Sequence, residues 1–170
     1  WTASELAAIG IIEVTFDDSN KKDEQWYINT NQTFTYDADA GTVTAAYGTA
    51  TAKAHADTLF TAQDETDGLG TEGDVKDEGL KTKLIRTVKA QAEGLLNQTD
   101  WYITRKAEKN TAIPSAITTW RDGIRTKQAA METLITNASD TPALETLYTY
   151  TTDSDGVTSR PLGEFPKLGS

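Results

Sequence analysis

The chain contains no cysteine, and in 170 residues it has one methionine, one histidine and four prolines. Without cysteine there is no disulfide, no thiolate nucleophile and no metal site built on sulfur. The single histidine, His55, would have to serve every triad or imidazole–metal arrangement alone. No GxSxG elbow accompanies it, and its neighbours Ala54 and Ala56 lie in an Ala/Thr-rich stretch, so it reads as a surface or interface residue. No apolar run approaches the ~18 residues that a membrane-spanning helix requires, and no basic-then-apolar signal pattern occurs. Basic residues are in deficit, 16 Lys and Arg against 26 Asp and Glu, for a net charge of −10. Such a surface repels phosphate backbones and anionic headgroups, so neither nucleic acid nor membrane insertion is expected.

What the chain does have is threonine, spread throughout and favouring strands and edges. The opening combines a capping box with a glycine stop: Thr2 is the N-cap, Glu5 reaches back to it, Leu6 and Ile9 form the stripe, and Gly10 ends the turn. A strand is expected over 11–16, with Ile12, Val14 and Phe16 on one side. A hairpin follows, with Trp26, Ile28, Phe34 and Tyr36 at even spacing, a turn over Asp37 to Gly41, and a return through Val43 to Tyr47. The Ala/Thr-rich segment 48–63 fits either strand or a weak helix, and we expect a helix over 50–60. Residues 64–78 are acidic and glycine-rich, as in an exposed linker.

From residue 79 the apolar period changes. Leu80, Leu84, Val88, Ala92 and Leu95 share a helical face, and after Pro114 so do Ile117, Trp120, Ile124, Met131, Leu134 and Ile135. These two stripes predict an antiparallel helical hairpin joined by 99–113. The fold class expected is therefore α+β: a β-rich unit over 1–63, a linker over 64–78, the hairpin over 79–140, and a short strand with an extended tail over 141–170.

Motifs with chemical meaning are few. Gly68-Leu-Gly70-Thr-Glu-Gly73 matches the dinucleotide fingerprint in letters, but the motif needs a preceding strand and a phosphate-friendly charge. Here Gln63 to Asp67 precedes it, and Glu72, Asp74 and Asp77 surround it, so a flexible loop is expected. The pairs Asp37/Asp39 and Asp153/Asp155 begin like calcium loops, yet Gly41 and Gly156 fall at the wrong step and no closing Glu follows. Nothing singles out one carboxylate pair for glycoside hydrolysis. The sequons at Asn31, Asn97 and Asn137 carry little meaning without a secretory signal. No catalytic residue, cofactor or metal ligand is therefore assigned. Among the aromatics, Trp26 and Trp101 read as core or hairpin anchors. Tyr148 and Tyr150 read as one face of a short strand and, with Leu162, Phe165 and Leu168 in the tail, as an interface.

Two stretches resemble a known family. Trp1 to Val14 is similar to the helix–Gly–strand opening of phage tail-fibre assembly proteins and related virion tail proteins. Leu95-Leu96 followed by Thr99-Asp100-Trp101, then Ile113-Pro114 and Trp120-Arg121, resembles the helical hairpin of those proteins. In physical terms Leu95 and Leu96 end a helix, Thr99 or Asp100 caps the next turn, Trp101 fills the gap between helices, and Pro114 starts the return. The resemblance implies a non-enzymatic bacteriophage tail component of the virion, present in host cytoplasm during assembly, or a fibre chaperone that departs. Its partners would be fibre or baseplate subunits, with self-association left open, and a carbohydrate-binding adhesin is the further alternative.

Overall fold

The computed structural model describes residues 1–30 and 32–169, so the sequon at Asn31 lies outside the described residues. It is α+β, and it divides into two compact units, Trp1–Lys53 and Ala54–Ser170. That division falls ahead of the boundary expected at residue 63.

The first unit opens with α1 (Ala3–Ala8). Thr2 and Glu5 form the expected capping box, and Gly10 turns the chain at φ +81°. Ile9 is exposed, however, and Leu6 only half-buried. Three strands follow as one sheet in the order β1–β4–β3, where β1 is Val14–Asp17, β3 Thr33–Asp37 and β4 Thr42–Ala46. β4 runs parallel to β1 and antiparallel to β3. The β3–β4 turn closes through Gly41 at φ +65°, while the Asp37 carboxylate accepts from the amides of Asp39 and Ala40. That carboxylate is thus used inside its own turn. Trp26 does not join this hairpin. It is buried beside β2 (Tyr27–Ile28), which pairs with β5 (Thr51–Ala52).

The helix expected over 50–60 is absent. In its place stand β5 and, in the second unit, β6 (Thr58–Leu59), which pairs antiparallel with β7 (Val75–Asp77). Threonines at 51 and 58 suit extended backbone, and no apolar stripe at helical spacing opposes that preference. The segment 64–78 is not a free linker either, because it carries most of α2 (Ala62–Thr66) and all of β7. Asp64 closes the α2 capping box with Thr61 and reaches Lys76 Nζ at 2.7 Å.

The core of the second unit lies between α3 (Leu80–Asn97) and α5 (Ser115–Asn137). Val88 and Ala92 on one helix and Trp120, Ile124, Met131 and Ile135 on the other are buried, as their spacing predicts. The α3 N-terminus has no cap from its own Gly79. Asp57 supplies one instead, accepting from the Gly79 amide and the Thr82 hydroxyl, both at 2.7 Å. The connection 99–113 is itself a helix, α4 (Asp100–Lys109), stopped by Asn110 in the left-handed region. A further unexpected helix, α6 (Thr141–Tyr148), starts from Asp140, whose carboxylate accepts from the Ala143 amide.

The tail is extended only in part. β8 (Thr151–Thr152) and β9 (Thr158–Ser159) form a small hairpin whose turn is tied by Asp153 to the amides of Asp155 and Val157. The chain then returns to the helices.

Candidate protein interface

Most residues of the second resembling stretch, Leu95 to Arg121, gather at the junction of α3, α4 and α5. Arg121 is 7% exposed and reaches out of α5 to close that junction. Its Nη1 donates to the Leu96 carbonyl at 2.8 Å and to Thr99 Oγ1 at 2.7 Å, and its Nη2 pairs with Asp100 at 2.8 Å. The Thr99 hydroxyl in turn donates to the Leu96 carbonyl. One guanidinium thereby satisfies the frayed end of α3 and the start of α4 together, a task its planar fork suits. Leu95, Leu96 and Phe165 pack on the buried Ala92–Trp120–Ile124 cluster. Pro114 stands at the N-cap of α5. Trp101 departs from expectation: it is 52% exposed, stacked on Tyr102 with ring centroids 3.7 Å apart, under the Arg105 guanidinium. The junction is a folding device, and the Arg121 guanidinium is spent on the chain itself.

The five residues expected to meet a partner near the C-terminus separate into two groups. Leu162 is 1% exposed, and its amide donates to the Leu147 carbonyl. Phe165 belongs to the Trp120 cluster, and Trp120 Nε1 donates to the Pro166 carbonyl at 2.9 Å. Leu162 is thus buried and Phe165 half-buried against the Trp120 cluster, so both side chains serve the packing of this unit. Tyr148 ends α6 instead of lying on a strand, and it is half-buried. Tyr150 and Leu168 remain exposed. Tyr150 donates to Glu164 at 2.5 Å, and Arg160 lies over both tyrosine rings while bonded to Glu164. Burial works against ionisation of Glu164, but the hydrogen bonds from Tyr150 and Arg160 outweigh it and hold the carboxyl below its usual range. Leu168 borders a cleft of about 760 Å³ with Ile117, Trp120 and Pro166.

A second apolar surface is in the first unit, where alternation puts Val14 and Phe16 on one side of a strand. Pairing registers put Val14, Val43 and Tyr36 in one row and Phe16, Ala45 and Phe34 in the next, all on one face of the sheet. Thr15, Thr44 and Thr35 make the row on the opposite face, where the Thr15 and Thr44 hydroxyls lie 3.3 Å apart. Only Ala45 of the apolar face is buried. Phe16 is 70% exposed, Phe34 64%, Tyr36 57% and Val14 38%. Rings of this kind bury ~150–250 Å² each, so the open patch is on the order of 400 Å². That is the size at which an apolar patch on a folded chain is commonly a contact site.

No family model, curated protein or solved structure matches the chain.

Among the described residues, no group of three or more His, Asp or Glu side chains is placed to hold a metal ion. The His55 carbonyl accepts from the Lys81 amide at the start of α3. The glycine triplet at 68–73 is followed by β7 and preceded by α2, not set between a strand and a helix. Gly70 serves packing, since a Cβ there would lie 2.6 Å from the Phe60 ring. Among the described residues, no helix is long and apolar enough to cross a membrane.

Proposed function

We propose that the chain is a structural component of a bacteriophage tail, at a fibre, baseplate or adaptor junction, acting by protein–protein contact without catalysis. The observation that carries the contact reading is the open face of Val14, Phe16, Phe34 and Tyr36. A folded unit gains nothing from keeping three large aromatics in water, whereas a partner that covers them recovers ~25 cal/mol for each Å² of apolar surface removed. The tail setting rests on the sequence resemblance over 1–14 and 95–125. Mass spectrometry of purified particles tests it, with near-stoichiometric presence expected. Presence only in infected-cell lysate would make the protein an assembly chaperone that departs, and absence from both would remove the phage reading.

A carbohydrate-binding adhesin is the competing reading, and the stacked Trp101–Tyr102 pair, with Trp101 exposed, is the observation on its side. Sugar stacking needs an open ring face. These two rings are engaged by each other and by Arg105. A glycan array is expected to show no binding that depends on Trp101.

A further inference from the structure

We propose that β3 is a self-pairing edge: two copies of this chain join β3 to β3, antiparallel, about a two-fold axis through Thr35. This goes beyond the tail-protein reading and stands whether or not that reading holds.

Among the described residues, β3 pairs with β4 alone, so its outer side is open. All five of its residues are exposed. An open edge is ordinarily protected by lysine, proline or a bulge. β3 has none of these, and its register with β4 is unbroken. No charged residue occurs from Ile28 to Tyr36. The short β6–β7 ribbon, by contrast, carries both a register shift and Lys76.

Symmetry then selects the occupant. Two identical strands related by a two-fold axis run antiparallel, and full use of β3 centres that axis on its middle residue, Thr35. Phe34 then faces the second copy's Tyr36 twice, on the apolar face. Thr35 faces its own equivalent, and Asp37 faces Thr33, so no like charges meet. The pairing thus forms two aromatic cross-strand contacts and continues the apolar face across both copies. The other edge, β1, is less suited, because its last residue is Asp17 and Asp18 follows it. An axis through Thr15 keeps the faces aligned but sets Glu13 against Asp17 twice, which is destabilising.

The absence of cysteine gives a clean experiment on the full chain. Directly opposed residues of antiparallel strands lie about 4.5–5.5 Å apart at Cα, within the reach of a disulfide. Thr35→Cys should therefore oxidise to a covalent dimer on a non-reducing gel, while Thr15→Cys on the opposite edge stays monomeric. A register test follows by analytical ultracentrifugation. Phe34→Lys with Tyr36→Lys should weaken dimerisation by at least about tenfold, by setting like charges opposite. Phe34→Lys with Tyr36→Glu should restore it, because the same axis then pairs opposite charges. Failure of Thr35→Cys to link, linking through Thr15→Cys, a monomeric unmodified protein, or equal behaviour of the two double variants would each overturn the proposal.

Discussion

The two units spend their apolar residues in opposite ways. In the helical unit Val88, Ala92, Ile124, Met131, Ile135, Leu144 and Leu162 are all at or below 2% exposure. Among the described residues of the β-rich unit only Trp26, Tyr27 and Ala45 are buried, and the larger residues of its three-stranded sheet face solvent. Substitution in the first set should therefore be read in stability, and substitution in the second in association. A single sequence contains both because a helical pair can close a core over a few turns, whereas a sheet of three short strands has nothing of its own to cover one face.

The strongest way to break this contrast is to open the helical core from its far end. A chain ending at Ser159 loses Leu162, Phe165 and the carbonyl that receives Trp120. Each buried apolar side chain removed costs ~2–5 kcal/mol. Together these losses consume much of the ~5–15 kcal/mol that holds a domain. Thermal melts followed by circular dichroism should lose their cooperative helical transition.

Gly79→Ala should cost ~1–3 kcal/mol, because the added Cβ runs into the Ala56 backbone, which has no rotamer to yield. Gly70→Ala meets only the Phe60 ring, and denaturant titration should show the smaller loss. Arg121→Ala removes a charged donor from the Leu96 carbonyl and the Thr99 hydroxyl and leaves Asp100 without its cation, worth ~1–3 kcal/mol in the same titration. Arg121→Lys should recover only part of this, since an ammonium cannot fork to Leu96, Thr99 and Asp100 together.

Acid gives a subtler break. The Thr82 hydroxyl and then the Gly79 amide hold the Asp57 carboxyl below its ordinary 3.8. Lys76 and the Thr61 cap do the same for Asp64. A carboxylate depressed on folding contributes stability above its unfolded pKa and loses it as pH falls through the folded value. Thermal midpoints of the helical unit should hold from neutrality to about pH 5 and decline below about pH 4, and Asp57→Asn should flatten that decline.

The smallest stability effect sharpens the contrast most. Phe34→Ser, on the open face, should change folding free energy by no more than ~0.5 kcal/mol. Pull-down of its partner, whether a second copy or a tail subunit, should fail.

The long stripes of α3 and α5 were legible because many residues repeat one period, and the capping box at Thr2 and the turn at Asp37 to Gly41 are local chemistry. The two-residue strands were not legible. Thr51–Ala52 is a strand because Tyr27–Ile28 lies beside it, and Thr58–Leu59 because Val75 does. α4 has no buried residue to create a stripe. α6 did announce itself, since Asp140 before Thr141-Pro142 is a helix start, but the same letters also read as the end of α5. At the candidate interface, Leu162 and Phe165 stand singly among glycine and proline, so no period marked them as core. The exposed sheet face was hidden for the converse reason: alternation says which residues share a face, never whether anything covers it.

The hydrogen bond from Trp120 to Pro166 has a temporal meaning as well. These partners are 46 residues apart, so a ribosome delivers all of α5 well before the segment that seals it. Until Leu162 to Pro166 emerge, the nascent helices display an apolar groove of the kind on which chaperones and proteases act. Release of these helices from surveillance is therefore timed by a stretch translated after both of them.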